Sequence, residues 1–192
     1  MTAAGTGRSP AGRLAVQLPL LAWDRPLYCH APADDEFDPE ALGSAGDESD
    51  RWSAPGERTA YLAADAGVAM AELAPHHPPG GTAVERRIMR IEPRPGAIRA
   101  LVDLRDAAVL RALGAPAELE RYLNRELATV VAAGVRSDER HAGIIVPSMA
   151  FLDRPDRPTI VLFAERTRDG DGGLTGLFAG WSEVARITVG GP

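Results

Sequence analysis

The sequence predicts an α+β fold, with a mixed or largely antiparallel sheet and a few helices. Two observations carry this expectation. Strand-like segments outnumber helical ones, and the two kinds do not alternate as a doubly wound parallel sheet requires. A third observation bounds the architecture. With 192 residues, 45% of them hydrophobic, the chain is long enough for one well-buried core and too short for two. No internal repeat is present.

Taken in order, residues 1–13 read as a flexible N-terminal tail. Arg8 and Arg13 precede the apolar run LAVQLPLLAW, which mimics a signal peptide. Gln17 and Pro19 break that run, and no small-residue cleavage pattern follows. Residues 14–23 are therefore expected as an early strand or packing segment, opening a single domain over 14–192. Residues 32–50 hold eight acidic residues among Pro, Gly and Ser, with almost no aliphatic ones. That composition predicts a solvated acidic loop, of a length usual for functional or disordered segments.

TAYLAA (59–64) reads as a buried strand, and Asp65 can cap a helix running to about Leu73. HHPPGG (76–81) stops that helix. AVERRIMRI (83–91) and ALVDLR (100–105) are strands, and Asp106 caps a short helix in DAAVLRALG. Pro116 stands where a first helical turn would begin, followed at helical spacing by Leu119, Leu123, Leu127, Val130 and Val131. An amphipathic helix is thus expected over 116–133. GIIVPS (143–148), TIVLFAE (159–165) and EVARITV (183–189) are rich in β-branched residues and read as strands. DGDGGLTG (169–176) opens no helix and fits no ligand spacing, so it reads as a hairpin connection between strands.

Charge and composition narrow the function. The net charge of −6 and pI near 5.2 argue against duplex nucleic acid as a partner. All 21 basic residues are arginine, which excludes a Schiff-base or phosphate-loop lysine. The single Cys29 excludes an intrachain disulfide framework and fits a reducing compartment. No apolar run is long enough to span a bilayer, so no membrane partner and a cytoplasmic address are expected. His76 and His77 are adjacent with no third ligand at metal spacing, and His30 and His141 are isolated, so no metal is expected.

Glu72 is the leading candidate residue. No other charged side chain follows the first turn of its helix, and a lone carboxylate on an apolar helix is costly to bury unless it is paired. Its bland alternative is a helix-end carboxylate that reaches water. Arg51, taken singly, reads as one more arginine paired with the acidic loop. Tyr61 reads as a core aromatic whose hydroxyl needs a partner. Ser148 lacks the turn that exposes a nucleophilic serine, so a hydrogen-bonding role, or none, is expected.

Together these residues resemble the RES domain family, named for an Arg, a Glu and a Ser. The resemblance rests on RWSAPG (51–56), AYLAA (60–64), MAEL (70–73), LVDLRDAAVLRALG (101–114) and GIIVPS (143–148), in that order, and spans roughly residues 26–166. Three departures stand out: LYCH places Cys29 where the family usually has an arginine, Ser53 stands where Asn is usual, and the acidic insertion at 32–50 is long. The resemblance implies a fold similar to ADP-ribosyltransferases and a toxin that destroys NAD+, with a helix-turn-helix, Xre-like antitoxin as partner.

The chemistry implied by the resemblance suits these residue types. Breaking the nicotinamide–ribose bond develops positive charge on the sugar, which Glu72 would stabilise while hydrogen-bonding the ribose hydroxyls. Arg51 would bind the pyrophosphate bidentately. Tyr61 would stack on or hydrogen-bond to the nicotinamide riboside half, Ser53 lies in the substrate-binding loop, and Ser148 would hold a phosphate or ribose oxygen or fix Arg51. No cofactor is implied beyond NAD+ as substrate, with phosphate as a possible co-substrate beside water. Transfer of ADP-ribose to a protein, and a binding module without chemistry, are the alternatives. The sequence leaves open whether two copies pair as a homodimer.

Overall fold

The computed structural model describes residues 17–43, 50–74, 81–167 and 173–191. The tail expected at 1–13 and residues 76–80 of the HHPPGG run, His76 and His77 among them, lie outside the described residues. Among the described residues, eight strands form one sheet: β1 (Leu20–Leu21), β2 (Leu27–Pro32), β3 (Thr59–Ala63), β4 (Val84–Pro93), β5 (Leu101–Asp103), β6 (Gly143–Pro147), β7 (Pro158–Phe163) and β8 (Phe178–Val189). Their spatial order is β1-β5-β6-β7-β3-β2-β4-β8. β5 and β6 run parallel, and the other neighbours are antiparallel. The helices are α1 (Ala66–Leu73), α2 (Ala107–Ala112) and α3 (Arg125–Arg136). This is the mixed α+β class that the sequence predicts. No helix among the described residues is long and apolar enough to cross a membrane.

Three local expectations are corrected. The helix expected over 116–133 is divided: Leu119–Leu123 forms a 3-10 turn, and α3 starts only after Asn124. The Asn124 side chain accepts the Leu127 N–H at 3.0 Å. It is a helix cap hidden inside an unbroken apolar periodicity. The acidic segment, too, is only partly solvated. Pro39–Gly43 forms a 3-10 turn, and Phe37 is buried edge-on to Trp181 with ring centroids 5.9 Å apart. Glu40 Oε1 accepts the Thr175 N–H at 2.7 Å, pinning this turn to the 3-10 turn (Thr175–Leu177) that precedes β8. Gly43 packs so closely that an added Cβ would lie 2.5 Å from Leu174 Cδ1. Residues 44–49 lie outside the described residues. Finally, β7 and β8 are separated in the sheet by β3, β2 and β4, so the 169–176 segment is no hairpin connection. β8 instead pairs with β4 along its length, from Val84 opposite Val189 to Pro93 opposite Phe178.

Alternation along the strands gives the sheet two apolar faces. One buries Leu27, Cys29, Leu62, Met89, Ile145 and Leu162 in a continuous core. The other is covered in two separate places. Val109, Leu110, Ala128 and Val135 of α2 and α3 cover Val102, Ile144 and Val161. At the far end, Val68 and Ala69 of α1 pack on Ala63 and Ile88. Between these two covers the face of the sheet is left open.

Candidate active site

A cleft of about 980 Å³ fills that gap. Tyr61 lies on its floor, Glu72 comes from α1 on one side, and Arg51 comes from the loop before β3 on the other. Three arginines, Arg51, Arg86 and Arg125, line it against two carboxylates, Asp50 and Glu72. In a chain of net charge −6, this local excess of positive charge favours an anionic ligand.

The Glu72 side is built from α1 and the segment after β6. Asp65 caps α1 by accepting the Val68 N–H at 3.0 Å. Arg157 grips the same carboxylate with Nε and Nη2 at 2.9 and 2.6 Å, while its guanidinium lies 4.1 Å from the Phe151 ring centroid. The first turn of α1 is thereby tied to the segment leading into β7. In the last turn of α1, Glu72 Oε1 accepts the Ser148 hydroxyl at 2.6 Å and the Met149 N–H at 3.0 Å. Ser148 Oγ in turn accepts the Ala150 N–H at 3.2 Å. Among the described residues only Oε1 of Glu72 is engaged, so its other oxygen can serve a ligand. Ser148 is fully buried behind Glu72. Its hydroxyl is directed to the carboxylate rather than to Arg51, and it orients Glu72 instead of touching the cleft.

The hydrogen bonds from Arg157 hold the Asp65 carboxyl below the usual range, ahead of a smaller opposing effect of burial. Its folded pKa therefore lies below its unfolded one. The pair contributes stability above the unfolded value of about 4, lost as pH falls through the folded value. Acid unfolding of Asp65→Asn should accordingly show a weaker dependence on pH below about 4 than the unsubstituted protein. Equal slopes in denaturant titrations across that range would show that the pair contributes nothing.

The Arg51 side depends on the break before α3. Arg51 Nη1 donates to the carbonyls of Tyr122 and Leu123 at 2.8 and 2.7 Å, the last residues of the 3-10 turn. Burial, then the neighbouring Arg125, lowers its pKa, while Glu72 and Tyr61 oppose that shift. The guanidinium is charged throughout the physiological range. Next to it, buried Trp52 packs on Tyr122 with ring centroids 5.7 Å apart. The Trp52 N–H donates to the Tyr61 hydroxyl at 3.2 Å, and Ser53 Oγ lies 3.2 Å from the same oxygen. Burial pushes the Tyr61 phenol up to about 12. Ser53 is buried and braces Tyr61 from behind. The loop closes in a turn in which the Glu57 N–H donates to Ala54 O at 3.1 Å and Gly56 adopts a φ of 80°. A left-handed glycine after proline is what such a turn requires.

The structure thus brings Arg51, Tyr61 and Glu72 to one cleft and sets Ser148 and Ser53 behind them. The Cys29 side chain packs into the core beneath the sheet, where burial pushes its thiol up to about 12, while the residue itself borders the cleft. His30, expected to be isolated, lines the cleft, whereas His141 is buried with Nδ1 3.0 Å from Val135 O. Sequence reasoning missed Arg86, Arg157 and Arg136, since in a chain whose bases are all arginine no local pattern singles them out. Arg136 is buried at the end of α3 and reaches Thr59 Oγ1 at 2.6 Å, at the rim of the cleft.

A family model described as the RES domain matches residues 22–175. No match is found among the curated proteins. Among solved structures, the chain is similar to one in the crystal structure of the M. tuberculosis MbcT–MbcA toxin–antitoxin complex. The TM-score is 0.56 at 16% identity, covering 89% of this chain and 87% of that one. At that identity the likeness concerns the fold alone.

Proposed function

The chain belongs to the RES domain family, and from that premise we propose that it is a toxin that cleaves the nicotinamide–ribose bond of NAD+. The observation that carries the reading is the meeting of Arg51 and Glu72, from separate elements, in one positively charged cleft. At about 980 Å³ the cleft is of the size that takes a dinucleotide.

In this reading the nicotinamide ribose lies against Glu72, whose unengaged oxygen accepts from the ribose hydroxyls. As the bond from C1′ to the nicotinamide nitrogen breaks, its electron pair leaves with nicotinamide, and positive charge spreads over C1′ and the ring oxygen. A carboxylate already oriented by Ser148 and Met149 stabilises that charge without reorganising. Arg51, with one nitrogen fixed on two carbonyls, offers its remaining N–H groups to the pyrophosphate. Tyr61, on the floor, provides a ring face for the nicotinamide riboside half. Water or phosphate then bonds to C1′ and gives up a proton, yielding ADP-ribose or its 1-phosphate. No step calls for a metal. The protein acts in the cytoplasm, where a helix-turn-helix antitoxin restrains it by occupying the cleft; the toxin–antitoxin complex of the similar structure supports an antitoxin as partner.

Purified protein mixed with NAD+ should release nicotinamide, and repeating the assay with and without phosphate separates phosphorylase from hydrolase by the product. Labelled NAD+ leaving label on a macromolecule would instead point to protein ADP-ribosylation. Absence of any release or transfer would leave a binding module. Because Ser148 acts on Glu72 and not on the ligand, Ser148→Ala should lower kcat by about tenfold with KM little changed. A change confined to KM would show that the hydroxyl meets the substrate after all.

A further inference from the structure

We propose that Arg86 is the second cation of the cleft and, together with Arg51, holds the diphosphate of the ligand. Arg86 stands on β4, two residues before Ile88 and on the same face of the sheet, the face that packs against α1. It lines the same cleft as Arg51 and Glu72. Its side chain is only half-exposed, and its Nε is buried with no hydrogen-bond partner among the described residues. A buried guanidinium nitrogen without an acceptor is costly, and in a cleft a bound ligand or water can supply the acceptor. Thr159 Oγ1, on β7 at the opposite side of the floor, is a second buried polar atom without a partner, and it lines the same cleft. Two residues with such atoms line one cavity, which points to a polar ligand that spans it.

The anion is the part of the ligand that suits Arg86. Arg51 already gives Nη1 to two backbone carbonyls, so its capacity toward a diphosphate is reduced. A diphosphate carries more acceptor oxygens than the remaining N–H groups of one arginine satisfy, and a guanidinium binds phosphate bidentately. Arg86 supplies that second fork from the sheet itself, while the side chain of Cys29, on the neighbouring β2, packs into the core. The inference deepens the reading of the cleft as an NAD+ site, yet inorganic pyrophosphate tests it separately.

The experiment measures equilibrium binding of pyrophosphate and of NAD+ to the unsubstituted protein, Arg86→Gln and Arg86→Lys, with thermal unfolding of each as a folding check. Arg86→Gln should weaken pyrophosphate binding by about tenfold or more, and Arg86→Lys by less, since it keeps the charge and loses the fork. NAD+ binding should weaken in parallel, while nicotinamide riboside, which carries no phosphate, should bind the unsubstituted protein and Arg86→Gln equally. Pyrophosphate binding that depends on Arg86, with no NAD+ binding, would uphold the anion site and sink the NAD+ reading. Pyrophosphate binding unaffected by either substitution, or no pyrophosphate binding by the unsubstituted protein, would overturn the assignment of Arg86.

Discussion

Glu72→Gln should lower the rate of nicotinamide release by about a thousandfold or more while leaving NAD+ binding and the fold nearly intact. Gln has the shape of Glu, and its carbonyl oxygen can still accept from the Ser148 hydroxyl and the Met149 N–H, now at 2.6 and 3.0 Å from Glu72 Oε1. The amide group then faces the cleft in place of the free carboxylate oxygen. It removes the negative charge that the developing ribosyl cation needs and puts a donor where the ribose hydroxyls expect an acceptor. Single-turnover release of nicotinamide, with binding followed separately, divides the two effects. A variant that binds NAD+ as before and turns it over within about tenfold of the original rate would remove Glu72 from the chemistry.

Arg136→Met should have the largest effect on stability, a loss of about 3 kcal/mol. The guanidinium is only 7% exposed and lies 4.0 Å from the Phe163 ring centroid. Its Nη1 donates to Glu165, its Nη2 to Thr59 Oγ1 at 2.6 Å, and its Nε faces Glu57 Oε2 at 3.4 Å without hydrogen-bond alignment. Methionine fills much of the volume but leaves two carboxylates without their counter-charge. Both side chains keep some contact with water, 26% exposed for Glu57 and 38% for Glu165, which sets the loss at the lower end for a broken buried pair. Glu57 also accepts the Ala54 N–H at 2.8 Å, so the turn that follows Arg51 should loosen as well. Denaturant unfolding should report the loss, with a melting temperature lower by about 10 °C. A loss under about 1 kcal/mol would mean that Arg136 is no more than an exposed ion pair in effect.

Much of the fold could be read from the sequence because its signals are local. Asp65 and Asp106 cap helices where a carboxylate precedes an apolar run, and each accepts a backbone N–H from the first turn. The strands at 143–147 and 158–163 follow β-branched runs, and they and the apolar TAYLA strand at 59–63 are largely buried on both faces. What misled the reading was competition between signals. Asn124 caps α3 from within a continuous apolar spacing, so periodicity extends the helix backward over a turn that the side chain has already ended. Phe37 and Leu42 pack on the core, but they are surrounded by enough acid to read as solvated. Strand order is non-local, and nothing within β8 names β4 as its partner.

At the site, Glu72 was legible because an isolated carboxylate on an apolar helix is anomalous on its face. The RES-like motifs added Arg51, Tyr61 and Ser148. The depth at which each lies was not legible, since burial is a property of the assembled sheet. Ser148 and Ser53 are therefore braces, to Glu72 and to Tyr61. Nothing in ERRIM sets Arg86 apart from Arg87, and only its register on β4 turns it to the cleft.

The central claim, that an arginine and a glutamate from separate elements hold the two halves of one dinucleotide, is tested most directly by a crystal structure of Glu72→Gln grown with NAD+. The account predicts the nicotinamide ribose hydroxyls within hydrogen-bonding distance of residue 72 and the pyrophosphate on the Arg51 guanidinium. A dinucleotide bound outside this cleft, or bound in it with that ribose turned away from residue 72, would contradict it.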